Sequence, residues 1–246
     1  MIQKLDLVEN IEKYYLGGIV ESVKWKVSNK KLHIDFVSPH QDLVGHVECD
    51  IELTDGVLGI FNTSSLLKLL SILDMDILIT IEQQFKTPVK LLIEDSNFSL
   101  QYSLADPYVI APSPSIDEPE YETTFTIDAE FITRFSKAKS ALGANTKDIC
   151  RVSNTVHEDG NKQVKFILGE PTSHSNKIEF TCDASYESDQ SNILPFNSAH
   201  IKEILNANKN DITEAKGSIS IKGLLKLEFI TETGVSTYYL PELRTT

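Results

Sequence analysis

A helix-forming segment occurs twice in the chain, and this repeat constrains the fold more than any other feature of the sequence. Residues 58–70 read LGIFNTSSLLKLL and residues 193–205 read ILPFNSAHIKEIL, so that Asn62 aligns with Asn197. Each asparagine precedes apolar residues at helical spacing, which predicts a capped amphipathic helix in both places. The repeat therefore predicts two domains with the same fold.

An acidic stretch with four prolines, ADPYVIAPSPSIDEPEYE at residues 105–122, separates the two copies. Because proline fixes φ and lacks a backbone donor, this composition predicts an extended connector. The expected organisation is a first domain at residues 1–105, a connector at residues 106–121 and a second domain at residues 122–246.

Four stretches predict helices: residues 5–15, 63–73 and 128–142, and the stretch after Asn197. Short runs rich in β-branched and aromatic residues predict strands elsewhere. We expect an apolar stripe on each helix to pack on the sheet of its own domain. The stripes are Val8, Ile11 and Tyr15; Leu66, Leu69, Leu70 and Leu73; Phe131, Phe135, Ala138 and Leu142; and Ile201, Ile204 and Leu205. The predicted fold class is α+β, with two helices on antiparallel sheets in each domain.

The formal net charge of −13 disfavours a nucleic-acid partner if the charge is spread evenly. Basic side chains nevertheless lie away from the apolar stripes of the helices. Acidic residues share these faces, and Glu203 occupies the position in the second copy that Lys68 holds in the first. The distribution of charge, rather than its sum, therefore decides this question.

The N-terminus has no apolar signal-peptide stretch, and no run of 18 apolar residues occurs, so we expect a cytoplasmic protein without a membrane partner. Cys49, Cys150 and Cys182 are widely spaced and form no CxxC pair, which predicts buried reduced thiols rather than disulfides or a zinc site. We expect no metal and no cofactor.

Two other function classes compete at this point. An enzyme is disfavoured because the chain lacks the P-loop, nucleophile-elbow, zinc-protease and dinucleotide motifs, and its six histidines show no ligand spacing. A non-catalytic β-sandwich protein of a virion or a cell surface would explain the strands. It would leave the repeated capped helices and their lysines unexplained.

The order helix, strands, helix, strands, written twice around an acidic connector, resembles the DNA sliding clamps of the proliferating-cell-nuclear-antigen and tailed-phage types. The matching segments are LGIFNTS at residues 58–64, ADP at 105–107 followed by VIAP at 109–112, EYETTFTIDAEFITRFSKA at 120–138 and STYYLPEL at 236–243. The connector favours a phage clamp, and the YYLPEL tail favours the nuclear type.

The resemblance implies a processivity factor for DNA replication, without enzyme activity, in which three chains form a closed ring around duplex DNA. The helices would line the hole and contact phosphates without reading sequence, while the acidic outer surface repels DNA. The residues that would face the hole are Lys13, Lys68, Arg134, Lys137, Lys139, Lys202 and Lys209.

Ring closure, by the pattern of the family, pairs an edge strand of domain 1 with a strand of domain 2 in the next subunit. The interface residues would be Phe98, Leu100, Tyr102, Ile178, Phe180 and Cys182. Peptides of partner enzymes would dock in an apolar pocket. Its residues would be Leu43, Val44, Val109, Ile110, Ala111, Pro112, Tyr239, Leu240 and Pro241.

The partners implied by the resemblance are double-stranded DNA, a DNA polymerase, a clamp loader and two further copies of the chain. The compartment is then the cytoplasm, which is the bacterial host cytosol if a phage encodes the protein.

Overall fold

The computed structural model describes residues 2–143, 147–169, 176–187 and 192–244. The chain divides into two compact units, Met1–Pro114 with Thr233–Ser236, and Ser115–Glu232 with Thr237–Thr246. The division between Pro114 and Ser115 falls inside the predicted connector. In each half of the chain the described elements follow one order: a strand, a helix, four strands, a second helix and three strands.

The first half contains two antiparallel sheets and two helices. One sheet has the strand order β1-β6-β7-β8 and the other β4-β3-β2-β5. The bounds are β1 (Ile2–Gln3), α1 (Lys4–Tyr15), β2 (Val23–Ser28), β3 (Lys31–Val37), β4 (Val44–Asp50), β5 (Gly56–Ile60), α2 (Thr63–Ser71), β6 (Asp76–Gln84), β7 (Thr87–Glu94) and β8 (Ser99–Ser103).

Gly59 and Ala105 form an isolated bridge where the two sheets of the first unit meet. A Cβ atom at Gly59 would lie 2.2 Å from the carbonyl oxygen of Ala105, so the close approach of the two backbones requires glycine. This contact explains the glycine in the repeated segment of the first domain.

The second half has the same succession of elements. Its strands follow the order β13-β10-β11-β12-β9-β14-β15-β16 and pair antiparallel. The bounds are β9 (Thr123–Thr126), α3 (Ala129–Ala141), β10 (Ile149–Val156), β11 (Lys162–Gly169), β12 (Lys177–Tyr186), β13 (Leu194–Asn197), α4 (Ser198–Ala207), β14 (Glu214–Ser220), β15 (Leu224–Thr231) and β16 (Gly234–Pro241).

Side-chain caps fix the starts of three helices. The side-chain oxygen of Asn62 accepts a hydrogen bond from Ser65 N, and that of Asn197 accepts from Ala199 N and His200 N. Asp128 accepts from Phe131 N at the start of α3. These bonds satisfy backbone donors that have no partner within a helix. The repeated cap predicted at Asn62 and Asn197 is confirmed.

The buried face of α1 differs from the predicted stripe. Leu7, Ile11 and Tyr14 are buried, whereas Val8 and Tyr15 are only half-buried. The predicted stripe was wrong at two of its three positions, Val8 and Tyr15. In both cases the preceding residue is similarly apolar and is buried instead. Leu69 in α2 is likewise half-buried, while Leu66, Leu70 and Leu73 are buried as predicted.

Aromatic side chains form the core of the second unit under helix α3. Phe166 stacks on Phe180 with ring centroids 5.3 Å apart, and its edge faces Phe131 at 5.1 Å and Phe125 at 5.3 Å. Aromatic pairs at these distances contribute about 0.5–1.5 kcal/mol each beyond the apolar area they bury. Phe180 therefore holds strand β12 against helix α3.

Within the described residues, no helix combines the length and the apolar character needed to cross a membrane. Cys49 and Cys150 are buried free thiols, as predicted, and Cys182 is half-buried and free. Burial raises the pKa of all three thiols to about 12, so they stay protonated and unreactive.

Candidate functional site

The two helices of each unit pack side by side, α1 beside α2 and α3 beside α4. Their buried stripes hold them to the sheets, so the predicted cationic side chains lie at the margins and on the outer faces of the helices. Lys68, Lys137 and Lys209 are exposed, and the other four predicted cations are half-buried.

Four of these cations are available to an external anion. Among the described residues, Lys68, Lys137, Lys202 and Lys209 form no ion pair. Lys68, Lys137 and Lys209 are also exposed. They are therefore the strongest candidates for a contact with phosphate.

The remaining three predicted cations have partners on their own unit. Lys13 donates to Asn10 Oδ1 at 3.1 Å, and Lys139 forms an ion pair with Asp148. Arg134 Nε lies 3.5 Å from Glu130, and its NH1 group donates to the carbonyl of Thr181 at 3.1 Å. The carboxylates partly neutralise Arg134 and Lys139, which weakens their attraction for phosphate, whereas the amide of Asn10 occupies Lys13 without cancelling its charge.

Among the described residues, one edge of strand β12 has no partner over most of its length. Residues 177–183 pair with β11 on one side, but only residues 184–186 pair with β9 on the other side. Within the described chain, β8 pairs only with β7. Two edges with free backbone donors and acceptors are thus present, one in each unit.

The predicted interface residues on these strands differ in exposure. Phe98 is 46% exposed, and Leu100, Ile178 and Cys182 are half-buried. Tyr102 is buried, and Phe180 is half-buried with its ring in the aromatic cluster described above. Of the six predicted residues, Tyr102 is therefore covered within its own unit, and the other five side chains keep some exposure to solvent.

The predicted peptide-pocket residues lie in both units. In the first unit, Leu43 and Ile110 are buried and Val44 is half-buried, whereas Val109 is 65% exposed. Ala111 and Pro112 are exposed. In the second unit, Leu240 is buried, Tyr239 is half-buried and Pro241 is exposed. Leu43, Ile110 and Leu240 are therefore buried within their own units, and the others are accessible to a ligand.

An anchor that was not predicted from the sequence holds the end of the connector to the second unit. Glu118 accepts hydrogen bonds from Tyr239 OH at 2.5 Å and Lys226 Nζ at 3.2 Å, and the Lys226 ammonium lies 5.7 Å from the ring centroid of Tyr239. Desolvation raises the pKa of Glu118, but these two donors outweigh it and hold the pKa below its usual value. No local motif marks this cluster, because Glu118 is more than 100 residues from both of its donors in the sequence.

Tyr108 was also missed, and its side chain is 95% exposed next to Val109. Both belong to a one-turn 3-10 helix, Pro107–Val109, capped by Asp106, whose side chain accepts from Tyr108 N. The Asp-Pro pair in the sequence is a signal for such a turn. This turn presents the side chains of Tyr108 and Val109 to solvent.

Solved structures share this architecture. Proliferating cellular nuclear antigen (PCNA) from Entamoeba histolytica matches with a TM-score of 0.75 and 17% identity, over 98% of this chain and 96% of that chain. A. fulgidus PCNA, in a structure with the C-terminal region of FEN-1 bound, matches with a TM-score of 0.75 and 14% identity, over 100% and 98% of the two chains. No protein-family model and no curated protein matches the chain. The chain has the fold of PCNA, and the predicted fold class is confirmed.

Proposed function

We propose that the protein is a non-catalytic DNA sliding clamp, three copies of which close into a ring around duplex DNA. The observation that carries this proposal is the doubled PCNA fold, with ten elements in the same order in each half of one chain. A ring built from three such chains would contain six similar arcs, and closed rings are assembled from repeated units.

Ring closure would use the two unpaired edges. We assign β8 of one copy to pair with residues 177–183 of β12 in the next copy, which satisfies backbone groups on both strands. Phe98 and Ile178 would be covered at this contact. A head-to-tail contact between two different surfaces closes into a ring when the rotation allows it.

The helices would face the DNA. Lys68, Lys137, Lys202 and Lys209 supply phosphate contacts, and Lys13, Arg134 and Lys139 contribute after exchanging their present partners. Phosphate contacts carry no sequence information, so the ring slides on DNA of any sequence. The net charge of −13 keeps DNA away from the remaining surface.

Partner enzymes would bind through short peptides at the exposed apolar residues of the connector and tail. One of the similar structures is described as A. fulgidus PCNA with the C-terminal region of FEN-1 bound, which supports a peptide-binding role for this fold. A DNA polymerase and a clamp loader are the partners that we propose. The cytoplasm is the proposed compartment, and the reduced cysteines agree with it.

A topological assay tests the proposal without a loader. The protein is first diluted to dissociate the ring and mixed with nicked circular DNA. The mixture is then concentrated so that the ring reassembles around the DNA. A lysine cross-linker closes the ring covalently, and the complex is washed in high salt. The proposal predicts retention on circular DNA and loss after the DNA is linearised with a restriction enzyme. Equal retention on both DNA forms, or on neither, contradicts it. Phe98→Asp, which places a charge at the proposed contact, is the control and should abolish retention.

A further inference from the structure

Four ionisable side chains form a compact array on the solvent face of strands β3 and β4. The register places His33 directly opposite Glu48, and Asp35 directly opposite His46. Leu32, Ile34 and Val47 point the other way and are buried. Because side chains alternate along a strand, the four polar groups share one face.

The distances within this array are short. His33 Nδ1 lies 3.3 Å from Glu48 Oε2, and His46 Nδ1 lies 2.7 Å from Asp35 Oδ1. One ligand atom each from His33, His46 and Glu48 can be chosen so that all lie within 4.8 Å of one another. Their side chains are 30–39% exposed, so a cation from solvent can reach them.

We propose that His33, His46 and Glu48 bind a divalent zinc-class cation, with water completing the coordination. Two imidazoles and one carboxylate form a ligand set that Zn²⁺ accepts, with a fourth position open. Asp35 is a positioning residue: its hydrogen bond to His46 Nδ1 orients the ring and leaves Nε2 for the metal, as in other carboxylate–histidine–zinc arrangements.

The neighbouring lysines make the site weaker than it would otherwise be. Lys31 forms an ion pair with Glu48, and Lys26 donates to Asp35 at 2.8 Å. Each lysine thus places a positive charge beside a carboxylate that the metal site uses, Glu48 as a ligand and Asp35 as its supporting residue. The Lys31 ammonium must leave Glu48, or share it, when a cation binds. This inference is independent of the proposed ring.

The test is a titration of the full-length protein with ZnCl₂ by calorimetry, supported by the visible absorption of bound Co²⁺. The unmodified protein should bind one ion per chain. His33→Gln and His46→Gln should each abolish this binding, and Asp35→Asn should weaken it about 10- to 100-fold. Lys31→Gln should strengthen binding, because it removes a competing positive charge.

The matched control is His157→Gln. His157 Nδ1 lies 2.9 Å from Asp159 Oδ1 on the second unit. This pair reproduces one histidine–carboxylate pair of the array without the second pair beside it. This variant should bind as the unmodified protein does. Binding that survives in His46→Gln, or that is lost in His157→Gln, overturns the proposal, as does the absence of any binding. Thermal melts check that all variants remain folded.

Discussion

The hydroxyl group of Tyr102 forms two hydrogen bonds with the backbone of Asn62: it accepts from Asn62 N and donates to Asn62 O, each at 3.1 Å. Tyr102 lies in β8, and Asn62 caps helix α2. One side chain thus links the proposed ring-closing strand to the start of a proposed DNA-facing helix. At the amide of Asn62 the hydroxyl takes the place of a backbone partner, whereas the carbonyl also accepts a hydrogen bond from Leu66 N at 3.2 Å.

Removal of this hydroxyl should destabilise the protein. Tyr102→Phe leaves Asn62 N without its partner and removes one of the two hydrogen bonds to Asn62 O, and leaving a donor unsatisfied typically costs about 1–3 kcal/mol. Urea unfolding of the variant and the unmodified protein measures the difference. Tyr108→Phe, at a site that is 95% exposed, is the control and should stay within about 0.5 kcal/mol of the unmodified protein. Equal stabilities for the two variants would contradict this role of Tyr102.

The contribution of Glu118 to stability should depend on pH. Its pKa lies below the usual value in the folded protein, so its charge stabilises the fold above the unfolded pKa of about 4.3 and loses this effect as the pH falls. Glu118→Gln should therefore be less stable than the unmodified protein at pH 7. The difference should shrink as the pH is lowered below that value, and urea unfolding at several pH values measures it. A difference that stays constant with pH would show that the charge of Glu118 contributes nothing.

Replacement of Lys137 should weaken the salt dependence of DNA binding. Lys137→Gln removes an exposed cation without an ion pair, and the slope of log K against log salt should fall by about 0.9 for each phosphate that the variant no longer neutralises. Fluorescence anisotropy with a short linear duplex measures the slope. Lys86→Gln, on the exposed turn between β6 and β7, should leave the slope unchanged. A larger effect at Lys86 than at Lys137 would place the DNA elsewhere.

A charge at the proposed subunit contact should dissociate the ring. Phe98→Asp places a carboxylate at the start of β8, where the native side chain is 46% exposed, so the isolated chain should still fold. Sedimentation velocity should then show a single chain. Val156→Asp introduces the same charge at a residue that is 50% exposed and lies outside the predicted interface, and this control should not change the oligomeric state. Dissociation by both variants would point to a general effect of charge.

The repeat and the caps made most of the fold predictable. Asn62 and Asn197 mark the starts of two helices through a local hydrogen bond, and local signals of this kind can be read from the sequence. The buried face of α1 was less accessible, because Val8 and Tyr15 are as apolar as the neighbours that are buried in their place. Tertiary packing decides between adjacent apolar residues.

The site was predictable only in its residue types. That Lys139 forms an ion pair with Asp148 while Lys137 forms none depends on the positions of neighbouring elements. The same holds for His33 and Glu48, which the strand register brings together from 15 residues apart in the sequence. Contacts between residues that are distant in the sequence follow from topology, which no single segment encodes.

The mass of the protein in solution tests the central claim most directly. Light scattering on a size-exclusion column, repeated at several concentrations, should give three times the chain mass of 27.6 kDa at high concentration. Dilution should shift this toward a single chain if the edge-strand contacts are reversible. A mass of 27.6 kDa at every concentration, up to tens of micromolar, would contradict a ring that closes by itself.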